Sequence, residues 1–163
     1  MARLNAVIDF VVFYFLVTAL TLLVVICFAQ VVARYVFGVS FSWAEEVSIC
    51  LMIWATWAGA SIAMKQGNHL RVLIVVEKMS EKTRLILQVT LNSVGVIFLG
   101  LVAFTSRAII DGMANATFFS LSWVPLNTMY VSVPVGCVLM IYYIVRSVAA
   151  DWKVLRAQLG KEG

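Results

Sequence analysis

Four long apolar runs, at residues 7–33, 44–64, 85–106 and 123–145, limit what this chain can fold into. Each reaches or exceeds the roughly 20 residues that a helix needs to cross the hydrocarbon of a bilayer. Within hydrocarbon every backbone N–H and C=O has to find its partner inside the chain, so only helices and closed barrels span it. A barrel would show segments of about 10 residues with alternating polarity, and no such alternation is present. With 63% hydrophobic and 12% charged residues, the chain lies far from the roughly half-apolar, quarter-charged mixture of soluble domains. The expected fold is an all-α integral membrane protein of four transmembrane helices, a single membrane domain over residues 1–163.

The first run is too long for the apolar region of a signal peptide, and Arg34 closes it as a stop-transfer charge, so it is expected to remain in the protein. It must tilt, or rest its first turns around Asp9 in the interface. Asp9 itself, near a helix N-terminus, is expected to be favoured by the macrodipole and in contact with water. Basic residues set the orientation. With the N-terminus inside, ten of the twelve Lys and Arg residues fall on the cytoplasmic side, and only Arg34 and Arg107 fall outside. Both termini are therefore expected in the cytoplasm. The basic balance then reflects an anionic inner leaflet rather than nucleic acid, for which no motif is present.

Little here points to reaction chemistry. Cys27, Cys50 and Cys137 stand singly in three runs with no metal-like spacing and are expected as buried small hydrophobes. The one histidine, His69, cannot supply the two axial ligands of an all-histidine haem site, and it lies in the connection "MKQGNHLRV", away from any nucleophile. No enzyme activity, cofactor or metal is expected.

Polar residues beside the membrane are costly there and therefore informative. In "SWAEEVSICLMIW" the acids Glu45 and Glu46 open the second run. Consecutive helical residues point about 100° apart, so the two cannot face one partner. Three roles stay open. They can form an acidic first turn behind Ser42 as N-cap and Trp43 as interfacial anchor. One can pair with Arg34 across "YVFGVSF" and pin the first two helices together. One can act as a coupling carboxylate, although such groups usually sit nearer the midplane.

Further along, Ala55, Gly59 and Ala63 recur every four residues, a spacing that lets a neighbouring helix approach closely. Trp54 and Trp57 near mid-span suggest packing against protein, with a lipid-facing position the alternative. In the fourth run Pro125 suits a first turn, while Pro134 must break the backbone ladder near the carbonyl of Tyr130 and kink the helix. In the tail "RSVAADWKVLRAQLG" Val148, Trp152, Leu155 and Leu159 form one helical stripe, which predicts an amphipathic extension lying on the membrane or on a partner.

The segment "ARYVFGVSFSWAEEVSICLMIWATWAGASIAMKQGNHLRV" resembles the small membrane subunit, or DctQ-type small permease, of tripartite ATP-independent periplasmic (TRAP) transporters. The resemblance rests on Arg34-Tyr35-Val36-Phe37, on Trp43 with Glu45-Glu46, on Trp54 and Gly59, and on Gly67, His69 and Val72. Trp123, Pro125, Tyr130, Pro134 and Gly136 resemble that family's fourth helix, whereas Leu73 stands where many members carry an aspartate. The resemblance implies a bacterial inner-membrane protein that supports a large multi-span permease subunit. A periplasmic substrate-binding protein would serve the pair, and organic acids would enter with sodium. Candidate residues for the helix hairpin or the subunit interface are Arg34, Trp43, Glu45, Glu46, Trp54, Trp57, Gly59, His69 and Pro134. Two other classes stay open: a self-sufficient homo-oligomeric ion-coupled transporter, and an accessory subunit of an unrelated membrane enzyme.

Overall fold

The computed structural model describes the backbone of residues 2–66 and 81–159, and side chains chiefly within 5–65 and 90–149. The described residues are helical apart from two connections. Helix α1 covers Ala2–Val36, α2 Ser42–Gln66, α3 Glu81–Gly112, α4 Asn127–Tyr130 and α5 Ser132–Leu159. Four stretches are long and apolar enough to cross a membrane: Asn5–Val36, Ser42–Lys65, Thr90–Gly112 and Asn127–Ala149. These match the four expected runs, each shifted or lengthened by a few residues. His69 and Leu73 lie outside the described residues.

The helices do not close into a ring. Helix α1 packs on α2, α2 on α5, and α5 on α3, giving the spatial order α1, α2, α5, α3. Helix α5 is thus the centre, and the main apolar core lies along it. Cys137, Met140 and Ile144 of α5 meet Leu99 of α3, with Trp57 and Ala60 of α2 packed against them. The outer helices bury little. Phe10, Phe13, Val24, Val25 and Phe28 on α1 and Ile97, Phe98 and Phe104 on α3 are all exposed within the single chain. A helix that is apolar on every side belongs in lipid or against protein.

Four serine and threonine hydroxyls inside the spans are satisfied by their own helices, as a low-dielectric surrounding favours. Thr21 donates to the Val17 carbonyl, Thr56 to Met52, Ser61 to Trp57 and Ser106 to Ala103. Of the three cysteines, only Cys137 is buried as expected. Cys27 is exposed on α1, where its thiol approaches the Ser48 hydroxyl at 3.6 Å, because α1 is covered on one side only.

The connection between α1 and α2 turns at Gly38, whose φ of 66° is the one positive φ among the described residues. The Ala33 carbonyl accepts from both Phe37 and Val39, at 3.1 Å each, so the reversal leaves the helix end satisfied. Helix α2 starts on Ser42 itself, with Phe41 before it accepting from the Ala44 N–H. The expected N-cap is therefore the first helical residue, a shift of one position.

The fourth span begins later than expected. Pro125 is not in the first helical turn. It forms an antiparallel bridge with Thr117. That bridge is held by Phe118 N–H to Val124 O (3.2 Å) and Leu126 N–H to Ala116 O (2.7 Å), so the proline occupies a position from which no N–H is required. After the bridge, α4 makes a single turn and the helix is interrupted at Val131. Pro134 explains the break, since it removes the N–H that would have bonded to the carbonyl of Tyr130. Beside the break the Ser132 hydroxyl donates to the Met129 carbonyl. Beyond it, α5 runs without a break to Leu159, so the tail is helical in its backbone as expected.

Candidate functional site: two polar ends of an apolar bundle

At the end of the bundle that carries the Gly38 turn, Glu46 does not pair with Arg34. Its carboxylate reaches across to the connection between α3 and α4 and accepts the backbone N–H of Ser120, at 3.0 Å to Oε1 and 3.1 Å to Oε2. Among the described residues no ion pair joins Arg34 to either acid. The reason is geometric. Glu46 lies on the inner side of α2 with Cys50, Trp57 and the fully buried Ser61, whereas Glu45 and Arg34 are exposed. Glu46 is therefore a strut that fixes the 113–126 connection onto α2, next to the buried Phe118. The same connection holds Phe119 and Trp123 almost fully exposed, at 96% and 80%. Trp43, half exposed, stacks obliquely near Phe41, with ring centres 6.2 Å apart.

Two to three turns deeper, the two mid-span tryptophans of α2 are both engaged with protein. Trp54 donates its indole N–H to the Thr128 carbonyl of α4 at 3.2 Å and meets Phe15 of α1 edge-on. That carbonyl lies in the turn just before the Val131 interruption, so the bond ties the irregular helix to α2. Replacing Trp54 with Phe is expected to keep the ring contact and to lower bundle stability by about 0.6 kcal/mol, at most about 1.7. Unfolding of the purified chain in mixed micelles would measure this. Trp57 lies against Gly136 of α5, and a Cβ there would come within 2.7 Å of the ring atom Cε3.

The small-residue stripe is used in part. Ala55 is buried, and a Cβ at Gly59 would lie 3.9 Å from the Leu16 methyls of α1, but Ala63 is exposed. Pro134 is half-buried and acts through the helix break described above.

The opposite end holds a cluster that sequence reading missed. Asp9 is not in open water: its side chain is 15% exposed and is shared by two cations. The Lys65 ammonium of α2 lies 3.0 Å from Oδ2, and Nη1 of Arg146 on α5 lies 3.1 Å from both carboxylate oxygens. Beside them Tyr142 donates to Asn5 Oδ1 at 2.6 Å. Three helices are thus joined at one polar knot, which puts the start of α1 and the end of the α5 span at the same end. A signal was available. Asp9 is the only acid in the first apolar run, and an intramembrane carboxylate is expected to face protein and find a cation.

Groups of His, Cys, Asp or Glu able to hold a metal are absent among the described residues. The polar chemistry of the two ends consists of holding helices in place. A family model for the DctQ component of tripartite ATP-independent periplasmic transporters matches residues 23–154. The chain belongs to the DctQ family. This DctQ-family chain is 26% identical over 118 residues to the sialic acid TRAP transporter small permease protein SiaQ of Vibrio cholerae, covering 69% of the chain and 65% of that protein. It is 25% identical over 107 residues to the C4-dicarboxylate TRAP transporter small permease protein DctQ of Rhodobacter capsulatus, covering 64% of the chain and 47% of that protein. Each match thus spans less than two thirds of the relative's length. It is a multi-pass membrane protein of the small-permease type, a component of a transporter, and the match includes Trp54, Trp57, Glu46, Arg146 and Gly136.

Proposed function

We propose that this chain is the small membrane subunit of a sodium-coupled TRAP importer of organic acids in a bacterial inner membrane. It works beside a large multi-span permease subunit and receives cargo from a periplasmic substrate-binding protein. On this reading both termini are cytoplasmic, so the Glu46 end faces the periplasm and the Asp9 end the cytoplasm. The amphipathic part of α5 beyond the span rests on the inner membrane face or on the partner.

The observation that carries the reading is the disposition of polarity. The described contacts of charged side chains gather at the two ends and brace helices, while α1 and α3 expose broad apolar flanks that no other described helix covers. Such a body is suited to stand against a larger membrane protein and to stiffen it. Relatives named for sialic acid and for C4-dicarboxylates support carboxylate cargo as a class. The test is to tag the chain, solubilise native membranes in mild detergent, and identify what co-purifies in stoichiometric amount. A permease of roughly a dozen or more spans is the expected partner. Recovery of a homo-oligomer that catalyses ion-coupled flux unaided would refute the proposal, as would a stable membrane enzyme in its place.

The strut at Glu46 yields a sharper expectation. Glu46→Ala frees the 113–126 connection and is expected to lower the yield of the complex and the uptake rate several-fold. Glu45→Ala, on the exposed face, is expected to leave both unchanged. Equal losses in the two variants would remove the special role of Glu46.

A further inference from the structure

An open groove of about 200 Å³ runs between α1, α2 and α5 and is lined only by apolar surface, including Val12, Phe15, Trp57, Ala58, Val135 and Leu139. Cavities of about 150 Å³ already accept a benzene ring, so this one has room for a segment of hydrocarbon chain. The groove leads toward the Asp9 cluster. Leu139 and Arg146 are seven residues apart on α5, as are Ala58 and Lys65 on α2. Seven residues are nearly two full turns, which puts each pair on one face with an axial separation of about 10 Å.

Among the described residues the cluster at that end carries one more positive than negative charge. Two cations share one carboxylate, and both remain partly open, with side chains 42% and 36% exposed. The described hydrogen bonds of Arg146 use Nη1 alone, although a guanidinium has five donors in a fork suited to phosphate oxygens. Tyr143, 2% exposed, places a buried hydroxyl beside Asp9. Asp9 holds the two cations together, and both cations keep part of their side chains at the surface.

We propose that the groove and this cluster form a binding site for one anionic phospholipid. An acyl chain lies along Val12, Val135 and Leu139, and the phosphate is held by Lys65 and Arg146. The spacing of about 10 Å between the apolar lining and the cations matches a lipid that enters from the membrane with its headgroup at the interface. The site stands whether or not a large permease is present, since it is built from this chain alone.

The full-length chain in mild detergent is offered equal amounts of phosphatidylglycerol and phosphatidylcholine, and native mass spectrometry counts the lipid retained. Wild type is expected to retain phosphatidylglycerol about tenfold better, the scale of one charge-assisted hydrogen bond. Lys65→Gln, which leaves the Arg146–Asp9 pair in place, and Val135→Phe, which fills the groove without touching a charge, are each expected to abolish the preference while helix content is unchanged. Equal retention of the two lipids by wild type, or wild-type retention in either variant, overturns the proposal. So does displacement of the lipid by millimolar inorganic phosphate, which would mean that the cations alone bind. A photo-crosslinking residue at position 135 in native membranes is expected to capture phospholipid. Capture of a protein or of a second copy would give the groove to another occupant and overturn the proposal too.

Discussion

Gly136→Ala is expected to loosen the centre of the bundle by about 1–3 kcal/mol, the usual range for forcing extra atoms into a packed interior. The new methyl would lie 2.7 Å from Trp57 Cε3, 2.8 Å from its Cβ and 3.0 Å from Cδ2. The Trp57 Cβ is held close to the α2 backbone, so the ring cannot swing aside without the helix moving. Because α5 contacts both α2 and α3, displacement there spreads to every interface except α1–α2. The measurement is the denaturation midpoint of the purified chain. Its control is the double variant with Trp57→Leu, which removes the two ring contacts, keeps the one with Cβ, and should recover part of the loss. A Gly136→Ala midpoint equal to wild type would mean that the helices part at little cost. Gly95→Ala makes a useful contrast, since its new methyl would meet only the end of Ile144 at 3.9 Å, an ordinary contact.

Asp9→Ala should be comparably severe, for an electrostatic reason. The substitution leaves Lys65 and Arg146 adjacent with no anion between them, and removes three close contacts of 3.0–3.1 Å at once. Loss of hydrogen bonds to a charged group costs about 1.5–3 kcal/mol, with repulsion between the two cations added. A double-mutant cycle on Asp9 and Arg146 should return a coupling of about 0.5–3 kcal/mol. A coupling near zero would class the knot with exposed surface pairs, which contribute about 0–1 kcal/mol. Functionally, a chain without Asp9 should lose the fixed position of α1 against α5, since Asn5 and Tyr142 provide the other described side-chain hydrogen bond between them.

Much of the molecule was legible from the residues alone, and what escaped did so for one reason. The four spans followed from apolar length, because a bilayer admits no other backbone solution for such runs. The effect of Pro134 followed from its missing N–H, and the break at Val131 lies where that loss falls. The partners of polar side chains did not follow. Arg34 was the nearest cation to Glu46 along the chain, yet Glu46 reaches a backbone N–H 74 residues away. Asp9 looked like a dipole-compensating residue in water, yet Arg146 lies 137 residues on and folds back over it. Pro125 resembled a helix start because proline is favoured there, but its lack of a donor suits a bridge position equally well.

What the sequence by itself determined was the solvent: hydropathy is a sum over local residues, and a run of apolar side chains selects hydrocarbon and helix without reference to anything distant. It also determined the family, through short motifs whose order survives in the chain. The helix order α1, α2, α5, α3 was decided only in three dimensions, as were the choice of Glu46 over Glu45 and the gathering of Asp9, Lys65 and Arg146. In a membrane the hydrophobic effect does not discriminate between lipid and another helix. Helix neighbours are instead selected by close packing, such as Trp57 on Gly136, and by a few polar contacts, both of which depend on faces that meet across long stretches of chain.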